Sequence, residues 1–120
     1  MINSNRLFVP LATEPFVWFE SGNKSWELRK YGRQFTEKTV YEGRRVELRC
    51  GYSDPNRSIW GTISKVEKSK TIEDFFTEID FSIVIPVAQS NFHAIQIAKT
   101  ILGINDNNEF IFLGFEVRLD

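Results

Sequence analysis

Apolar and polar side chains alternate along several short segments of this chain, and an alternation with a period of two predicts β-strands. The clearest case is the segment 24–30, where Trp26 and Leu28 fall on one face of the strand and Glu27 and Arg29 on the other. The same reasoning predicts strands over residues 6–11, 44–50, 58–66 and 110–119, and a short apolar strand over residues 83–85. Together these segments predict a sheet.

The predicted strand over residues 58–66 does not alternate cleanly. Ile63 falls on one face with its apolar neighbour at position 59, whereas Trp60 and Val66 fall on the opposite face. Gly61 lies in the middle of the strand, where a glycine indicates a bulge or a close approach of another group to the backbone.

Segments with apolar residues at helical spacing predict α-helices between the strands. They cover residues 13–21, 71–79 and 90–102, and a turn is expected over residues 105–108. Thr13 and Thr71 are the expected N-terminal caps of the first two helices, because a threonine side chain can accept from the free N–H groups there. Gly22 and Gly103 are the expected ends of the first and third helices.

The predicted order of elements is thus β-α-β-β-β-α-(β)-α-β, with no internal repeat and no low-complexity linker. A chain of 120 residues is long enough to bury one core. The links between the middle strands are too short for crossover helices, which favours antiparallel pairing. We therefore predict a single α+β domain over residues 1–120, with a closed, mostly β core flanked by helices.

Composition excludes several classes of protein. Cys50 is the single cysteine and His93 the single histidine, so neither an internal disulfide nor a zinc site is expected, and no cofactor or metal is predicted. No apolar run approaches the roughly 20 residues of a membrane span. The polar N-terminus lacks the apolar segment of a signal peptide, which favours a cytoplasmic protein.

Charge is distributed unevenly along the chain. The net charge of −1 argues against broad electrostatic adhesion to nucleic acid. Residues 24–70, however, contain twelve Lys or Arg against six Asp or Glu, while the rest of the chain is acidic. This basic middle could present one positive face to phosphate groups, although clustering of solvated charges explains the distribution equally well.

The segment from Gly22 to Arg29 carries the sharpest group of candidate site residues. A helix ends at Gly22 and a strand starts two residues later, so Lys24 lies at the strand entrance and Glu27 and Arg29 project from one face. A guanidinium can grip an oxyanion, and a carboxylate can accept from an amine or act as a general base. The alternative is a surface ladder of charges that pair with each other.

Three further residues are candidates for ligand binding. Trp60 could stack a base, or it could belong to a second core layer under a helix. Arg49 shares a face with Arg45 and could bind phosphate, or it could be a solvated edge residue. Trp18, on the helix before the motif, could form a cleft wall or simply pack in the core.

The run Gly22-x-Lys24-x-x-Glu27-x-Arg29 resembles the signature of the ASCH domains, a branch of the PUA-like superfamily. Three later segments resemble the family in the same order: residues 41–46 its turn into a barrel strand, residues 60–63 the next strand and residues 112–117 the closing strand. The resemblance covers residues 6–119. It implies a PUA-like, mixed and mostly antiparallel β-barrel with a cleft beside the motif, and a role in RNA or nucleotide metabolism.

Two departures from the family pattern affect what the resemblance implies. Arg44 stands where the family turn usually has Asp. Glu27 stands where the acetylcytidine-deacetylating branch, which is similar in having a lysine at the position of Lys24, has a threonine nucleophile. A carboxylate cannot replace that hydroxyl, so the amidohydrolase mechanism is not expected. Other ASCH members are ribonucleases, for which a lysine and a carboxylate are compatible.

Three hypotheses follow from the sequence. The first is an RNA- or nucleotide-binding module that uses Lys24, Glu27, Arg29 and Arg49, with Trp60 or Trp18 stacking on a base. The second is a hydrolase acting on RNA or a modified nucleoside from the same cleft, with Lys24 and Glu27 as catalytic residues. The third is a protein-interaction adaptor, for which a contiguous exposed apolar patch and an occluded cleft are expected. Oligomeric state is left open.

Overall fold

The computed structural model describes residues 5–105 and 110–120, whose elements follow the predicted order with one exception. The strands are β1 (Leu7–Leu11), β2 (Trp26–Lys30), β3 (Arg45–Cys50), β4 (Ser58–Ser69) and β5 (Phe112–Leu119). The α-helices are α1 (Thr13–Glu20), α2 (Ile72–Glu78) and α3 (Asn91–Leu102). Apart from Asn105, the turn predicted over residues 105–108 lies outside the described residues.

The strands form one mixed sheet in the order β1-β3-β4-β5-β2. β1 is parallel to β3, and each of the other neighbouring pairs is antiparallel, which confirms the predicted mixed and mostly antiparallel sheet. The parallel pair needs a long connection, and the segment containing α1 and β2 supplies it. The sheet curls into a half-barrel, with β1 and β2 as its edge strands.

Alternation along the strands directs side chains into two separate cores. Leu48 of β3 faces the inner side of the half-barrel, where Phe16 and Phe19 of α1 complete a buried cluster. Trp26 of β2 faces the outer side, where it packs with Phe75 of α2 and with residues of α3. The two faces predicted for residues 24–30 and 44–50 therefore correspond to real differences in environment.

The short strand predicted over residues 83–85 is wrong. Phe81–Ile83 forms a 3-10 helix, and Val84 N donates to Phe81 O at 3.1 Å. Val84 and Ile85 are buried in the cluster formed by α2 and α3. The segment is therefore apolar because helices cover it, and an apolar run of three residues has the same pattern in a buried turn as in a strand.

The side predicted for Val66 is also wrong. The pairing of β4 with β5 contains a bulge between Ile63 and Lys65, which adds one residue to β4 and reverses the alternation beyond it. Val66 therefore packs against the same core as Ile63. The close approach expected at Gly61 is confirmed, because an added Cβ would lie 2.6 Å from Arg118 O. The bulge, which was the alternative at this position, lies further along the strand.

Arg44, at the position where the resemblance described above implies an Asp, has a structural role of its own. Its guanidinium donates to the backbone carbonyls of Asn5 (2.9 Å), Arg6 (3.3 Å) and Thr39 (2.5 Å). The side chain thus connects the loop before β3 to the segment that enters β1. The hydrogen bonds that Arg44 donates all go to acceptors within the chain.

The helix caps predicted at Thr71 and Thr13 have different outcomes. Thr71 is the N-cap of α2 and accepts from Asp74 N at 2.9 Å, as predicted. The N-cap of α1 is Ala12, which makes no side-chain cap bond, so the prediction for Thr13 is wrong.

Replacing Thr71 by alanine is expected to lower the free energy of unfolding by about 1 kcal/mol, because one N–H at the start of α2 loses its partner. Thr13→Ala is the matched control, with an expected change of less than about 0.5 kcal/mol at an exposed position without a cap bond. Urea unfolding of both variants measures the difference. Equal losses would contradict the assigned caps.

Candidate functional site

The turn between α1 and β2 places the predicted motif at a free edge of the sheet. Gly22 has a φ of +84°, a left-handed conformation that glycine adopts without strain. Gly22 N donates to Phe19 O and Lys24 N to Trp18 O, both at 3.0 Å. The chain therefore reverses directly after α1 and holds Lys24 beside Trp18, at the entrance of β2.

A small cleft of about 70 Å³ opens here, along β2 and between α1 and α3. Its apolar walls are formed by Pro15, Trp18, Leu28, Val84, Ile85, Ala98, Ile101 and Leu102. Its polar part is formed by Lys24 and Glu27, which are only 6% and 8% exposed. Two residues of the predicted constellation thus border a cleft, and Trp18 forms part of its wall.

Lys24 is fully engaged by the protein. Its ammonium group lies 2.7 Å from Trp26 O, 2.6 Å from Val84 O and 3.2 Å from Glu27 Oε1. An ammonium has three N–H donors, and these acceptors occupy all of them. Lys24 therefore fixes Glu27 and the segment before α3 in place, and it has no donor left for a ligand.

Glu27 is held from its other side by Arg29. Arg29 Nε donates to Glu27 Oε2 at 2.7 Å, and Arg29 Nη2 donates to Pro10 O at 3.0 Å. The guanidinium also lies 4.9 Å from the centre of the Phe35 ring. Because Pro10 belongs to β1 and Arg29 to β2, this side chain bridges the two edge strands of the half-barrel.

The two cations set the charge state of Glu27. Burial alone would raise the pKa of Glu27, but the charges of Lys24 and Arg29 and their hydrogen bonds outweigh it and hold the pKa below its ordinary value of 4.5. Burial lowers the pKa of Lys24 from 10.5, and Glu27 opposes this effect. With three acceptors around its nitrogen, we assign Lys24 as protonated. Together the three side chains carry one net positive charge.

This arrangement limits the chemistry available in the cleft. Each Glu27 oxygen accepts one hydrogen bond from a cation, and a carboxylate has about four acceptor positions in all. Glu27 can therefore accept a further N–H from a ligand. A carboxylate with a lowered pKa is a weak general base at neutral pH, and Lys24 has no free donor for a developing anion.

Arg49 and Trp60 lie on the other face of the sheet from Glu27. Arg49 Nε donates to Glu47 Oε2 at 2.9 Å and Arg49 Nη1 to Tyr52 O at 2.9 Å. Trp60 is the strand partner of Glu47 in the β3–β4 pair. β3 and β4 are separated from β2 by β5 in the sheet order. The structure thus does not bring these two residues to the cleft with Lys24.

Several residues of the cleft were not identified from the sequence. Ile101 and Leu102 form its α3 wall, and Val84 supplies the carbonyl that Lys24 binds. The apolar run containing Val84 was visible, but it predicted a strand. The sequence also did not indicate that Glu47 is buried, although it is only 3% exposed. Alternation correctly predicts that Glu47 shares a strand face with Arg45 and Arg49, but it does not show how deeply that face is covered.

A larger cavity of about 790 Å³ lies elsewhere, at the start of α2 and the end of α3. The described part of its wall contains none of the predicted site residues, and its Glu73 and Lys99 pair with each other at 3.0 Å. Two of its lining residues, Asn105 and Phe110, flank the undescribed segment 106–109. The smaller cleft is the candidate site because the buried charged side chains of Lys24 and Glu27 lie there, and their cluster with Arg29 has a net positive charge.

Two broader features concern metals and membranes. Among residues 5–105 and 110–120, no three His, Cys, Asp or Glu side chains are grouped so that they could hold a metal ion. Within the same ranges, no helix has both the length and the apolar character needed to cross a bilayer.

Comparisons with known proteins identify similar folds. No protein-family model and no curated protein matches the chain. The crystal structure of hypothetical protein PH0355 superimposes with a TM-score of 0.72 at 11% identity, over 94% of this chain and 97% of that chain. The solution structure of protein PF0455 from Pyrococcus furiosus matches with a TM-score of 0.63 at 12% identity, over 95% and 96%.

The crystal structure of ASCH from Zymomonas mobilis also matches, with a TM-score of 0.61 at 12% identity, over 92% of this chain and 65% of that chain. At this level of identity, the similarity concerns the fold. It agrees with the curled, mixed sheet and the flanking helices described above. The predicted resemblance is therefore confirmed at the level of the fold, and the chain has an α+β fold of the ASCH type.

Proposed function

We propose that this chain is an RNA- or nucleotide-binding module that receives the edge of a base in the cleft between α1 and α3. The observation that carries the proposal is the position of Glu27. An ionised, largely buried carboxylate lies beside apolar walls and is held in one orientation by Lys24 and Arg29. Such a group recognises a ligand that presents an N–H donor on an otherwise apolar, flat surface.

The walls and size of the cleft indicate how a base would enter. Trp18 is half-buried and offers an indole surface for stacking, which contributes about 1–3 kcal/mol per base. Ile101, 67% exposed, stands on the opposite side. The volume of about 70 Å³ is below the roughly 300–1,000 Å³ of sites that enclose a ligand. The base would therefore enter edge-first, with its sugar and phosphate outside.

Binding is better supported than hydrolysis for this cleft. The lowered pKa of Glu27 and the saturated Lys24 ammonium leave neither a good general base nor a free cation. If the chain is a binding module, Lys24 and Arg29 position Glu27, and Glu27 makes the contact to the base. The hydrolase and adaptor hypotheses predict different outcomes of the experiment below.

Bases with an exocyclic amine are expected to bind better than uracil, because the one donor on the Watson–Crick edge of uracil, N3–H, lies between two carbonyl oxygens that an ionised carboxylate repels. We expect cytidine and adenosine to bind roughly five-fold or more tightly than uridine. Trp18→Ala should weaken binding by about ten-fold through the loss of stacking. Calorimetric titration of each nucleoside into the wild-type protein and the variant measures both effects.

Val17→Ala is the matched control. Val17 is the neighbouring residue on α1, is 42% exposed and is not part of the cleft lining, so its variant should bind like the wild type. Equal affinity for uridine and cytidine would contradict the role of Glu27. A short single-stranded RNA and an acylated cytidine, each incubated with the protein and then chromatographed, should be recovered intact, and a cleaved or deacylated product would favour the hydrolase. An absence of binding to every nucleoside and to RNA would favour the adaptor.

A further inference from the structure

The outer face of the sheet is divided into two unlike halves. In the part of the chain that the structure describes, α2 and α3 pack on the half formed by β2, β5 and the end of β4. The other half, formed by β1, β3 and the start of β4, presents guanidinium and aromatic side chains. We name this second half the arginine face, and it comprises Arg6, Phe8, Arg45, Glu47, Arg49 and Trp60.

A buried carboxylate organises the arginine face. Glu47 accepts from Arg6 Nε at 3.1 Å, from Arg49 Nε at 2.9 Å and from Ser58 Oγ at 2.6 Å. Arg49 is further fixed through its bond to Tyr52 O. Two guanidinium groups are thus held in place before any ligand arrives, which reduces the entropy that binding would otherwise cost.

Aromatic rings alternate with these cations. The Phe8 ring centre lies 5.5 Å from the Arg6 guanidinium and 4.8 Å from that of Arg49. The Trp60 ring centre lies 5.9 Å from the Arg45 guanidinium. Tyr52, 74% exposed, stands at the rim with its ring centre 6.3 Å from that of Phe8. Both aromatic rings and guanidinium planes are surfaces on which unpaired bases stack.

The strand register spaces the rings across the face. Phe8 and Trp60 are the partners of Glu47 on its two neighbouring strands. Strands in a sheet lie about 4.8 Å apart, which puts these two residues about 10 Å from each other. Aromatic rings on two sides of Glu47 and its bound arginines suit an extended polymer of bases better than one small ligand.

Charge selects the class of ligand. Arg118 on β5 is aligned with Thr62 and joins this side of the sheet, so four arginines stand against the carboxylates of Glu47 and Asp120. A local positive excess on a chain with a net charge of −1 complements an anion. An acidic peptide would satisfy the arginines but would leave the flat faces of Trp60 and Tyr52 without a planar partner.

We propose that the arginine face binds single-stranded nucleic acid, with phosphates at the arginines and bases stacked on Trp60 and Tyr52. This surface extends the proposed function to a second site, on the opposite face of the sheet from Glu27, and it does not require the cleft to be occupied. Arg49 and Trp60, predicted from the sequence as ligand-binding residues, act here together and away from Lys24.

The test uses a labelled single-stranded RNA of about eight nucleotides, with affinity measured by fluorescence anisotropy at low and high salt. We expect Trp60→Ala to weaken binding by about ten-fold and Tyr52→Ala by roughly five-fold. Affinity should fall steeply as salt increases, because phosphate contacts release counterions. Phe92→Ala is the matched control, since Phe92 is an aromatic residue 69% exposed on α3, and it should bind like the wild type.

Circular dichroism establishes whether each variant is folded, and Tyr52 tests the proposal even if Trp60→Ala unfolds, because its side chain is exposed. The proposal is overturned if the RNA binds both variants like the wild type, or if an acidic peptide binds the face and the RNA does not. Cytidine titration separates the two sites. RNA binding that depends on Tyr52 while cytidine fails to bind would support the arginine face and refute the cleft.

Discussion

Replacing Glu27 by glutamine is expected to lower the free energy of unfolding by about 3–5 kcal/mol. The substitution keeps the shape of the side chain but leaves Lys24 and Arg29 next to each other without a counter-charge. The Lys24 side chain is only 5% exposed, so water cannot replace the lost carboxylate. A domain of this size is stable by about 5–15 kcal/mol, and urea unfolding measures the loss directly.

Glu73→Gln is the matched control for this prediction. Glu73 pairs with Lys99 at 3.0 Å, but its side chain is 54% exposed, and surface pairs of this kind contribute less than about 1 kcal/mol. Similar losses of unfolding free energy in the two variants would mean that the buried charge cluster stabilises the fold no more than a surface ion pair does.

The pH dependence gives a second check on the same variant. Since the pKa of Glu27 in the folded protein lies below 4.5, its stabilising contribution is complete above that pH and is lost as the pH falls through the folded-state value. Protonated Glu27 is as uncharged as glutamine. The stability difference between wild type and Glu27→Gln should therefore shrink in acid, and a constant difference would show that charge is not its cause.

Gly114→Ala is expected to cost about 1–3 kcal/mol or more of unfolding free energy, through overpacking of a filled core. Gly114 lies on the interior strand β5, and an added Cβ would overlap the ring of Phe75, reaching 2.6 Å from its Cζ atom. Phe75 is fully buried and packs edge-on against Trp26 and Phe76. These two neighbouring rings restrict the movement of Phe75 away from the added methyl group.

A double-mutant cycle with Phe75→Leu tests this mechanism. The smaller leucine makes room at the position of the clash, so the two substitutions together should cost less than the sum of their separate effects. Contacting residues couple by about 0.5–3 kcal/mol, and denaturant unfolding of the four proteins measures that term. Additive effects would contradict overpacking as the cause.

Much of the fold followed from local patterns in the sequence. The alternation in residues 24–30 placed Glu27 and Arg29 on one side of β2 and Trp26 on the other, as the two cores confirm. Gly22 and Gly103 end their helices with positive φ, as predicted. These features depend on residues within one helical turn or on neighbouring strand positions, so a single sequence contains the information.

The candidate site was predicted only in part, for a reason that concerns sheet order. Lys24, Glu27 and Trp18 border the same cleft, and the sequence could place them together because they belong to one continuous segment. Arg49 and Trp60 were expected near them, but β3 and β4 are separated from β2 by β5. Strand order depends on which hydrogen-bonding partners meet after collapse, and local alternation does not specify it.

The sequence by itself determined the order of elements apart from the segment 83–85, the faces of the strands before the bulge and the chemistry of the motif. Only the tertiary structure decided what the motif can do. Lys24 binds the carbonyl of Val84, sixty positions away, and Arg29 closes the half-barrel on Pro10. These long-range contacts saturate the ammonium and keep Glu27 charged. They arise because buried polar groups must find partners wherever folding brings them together.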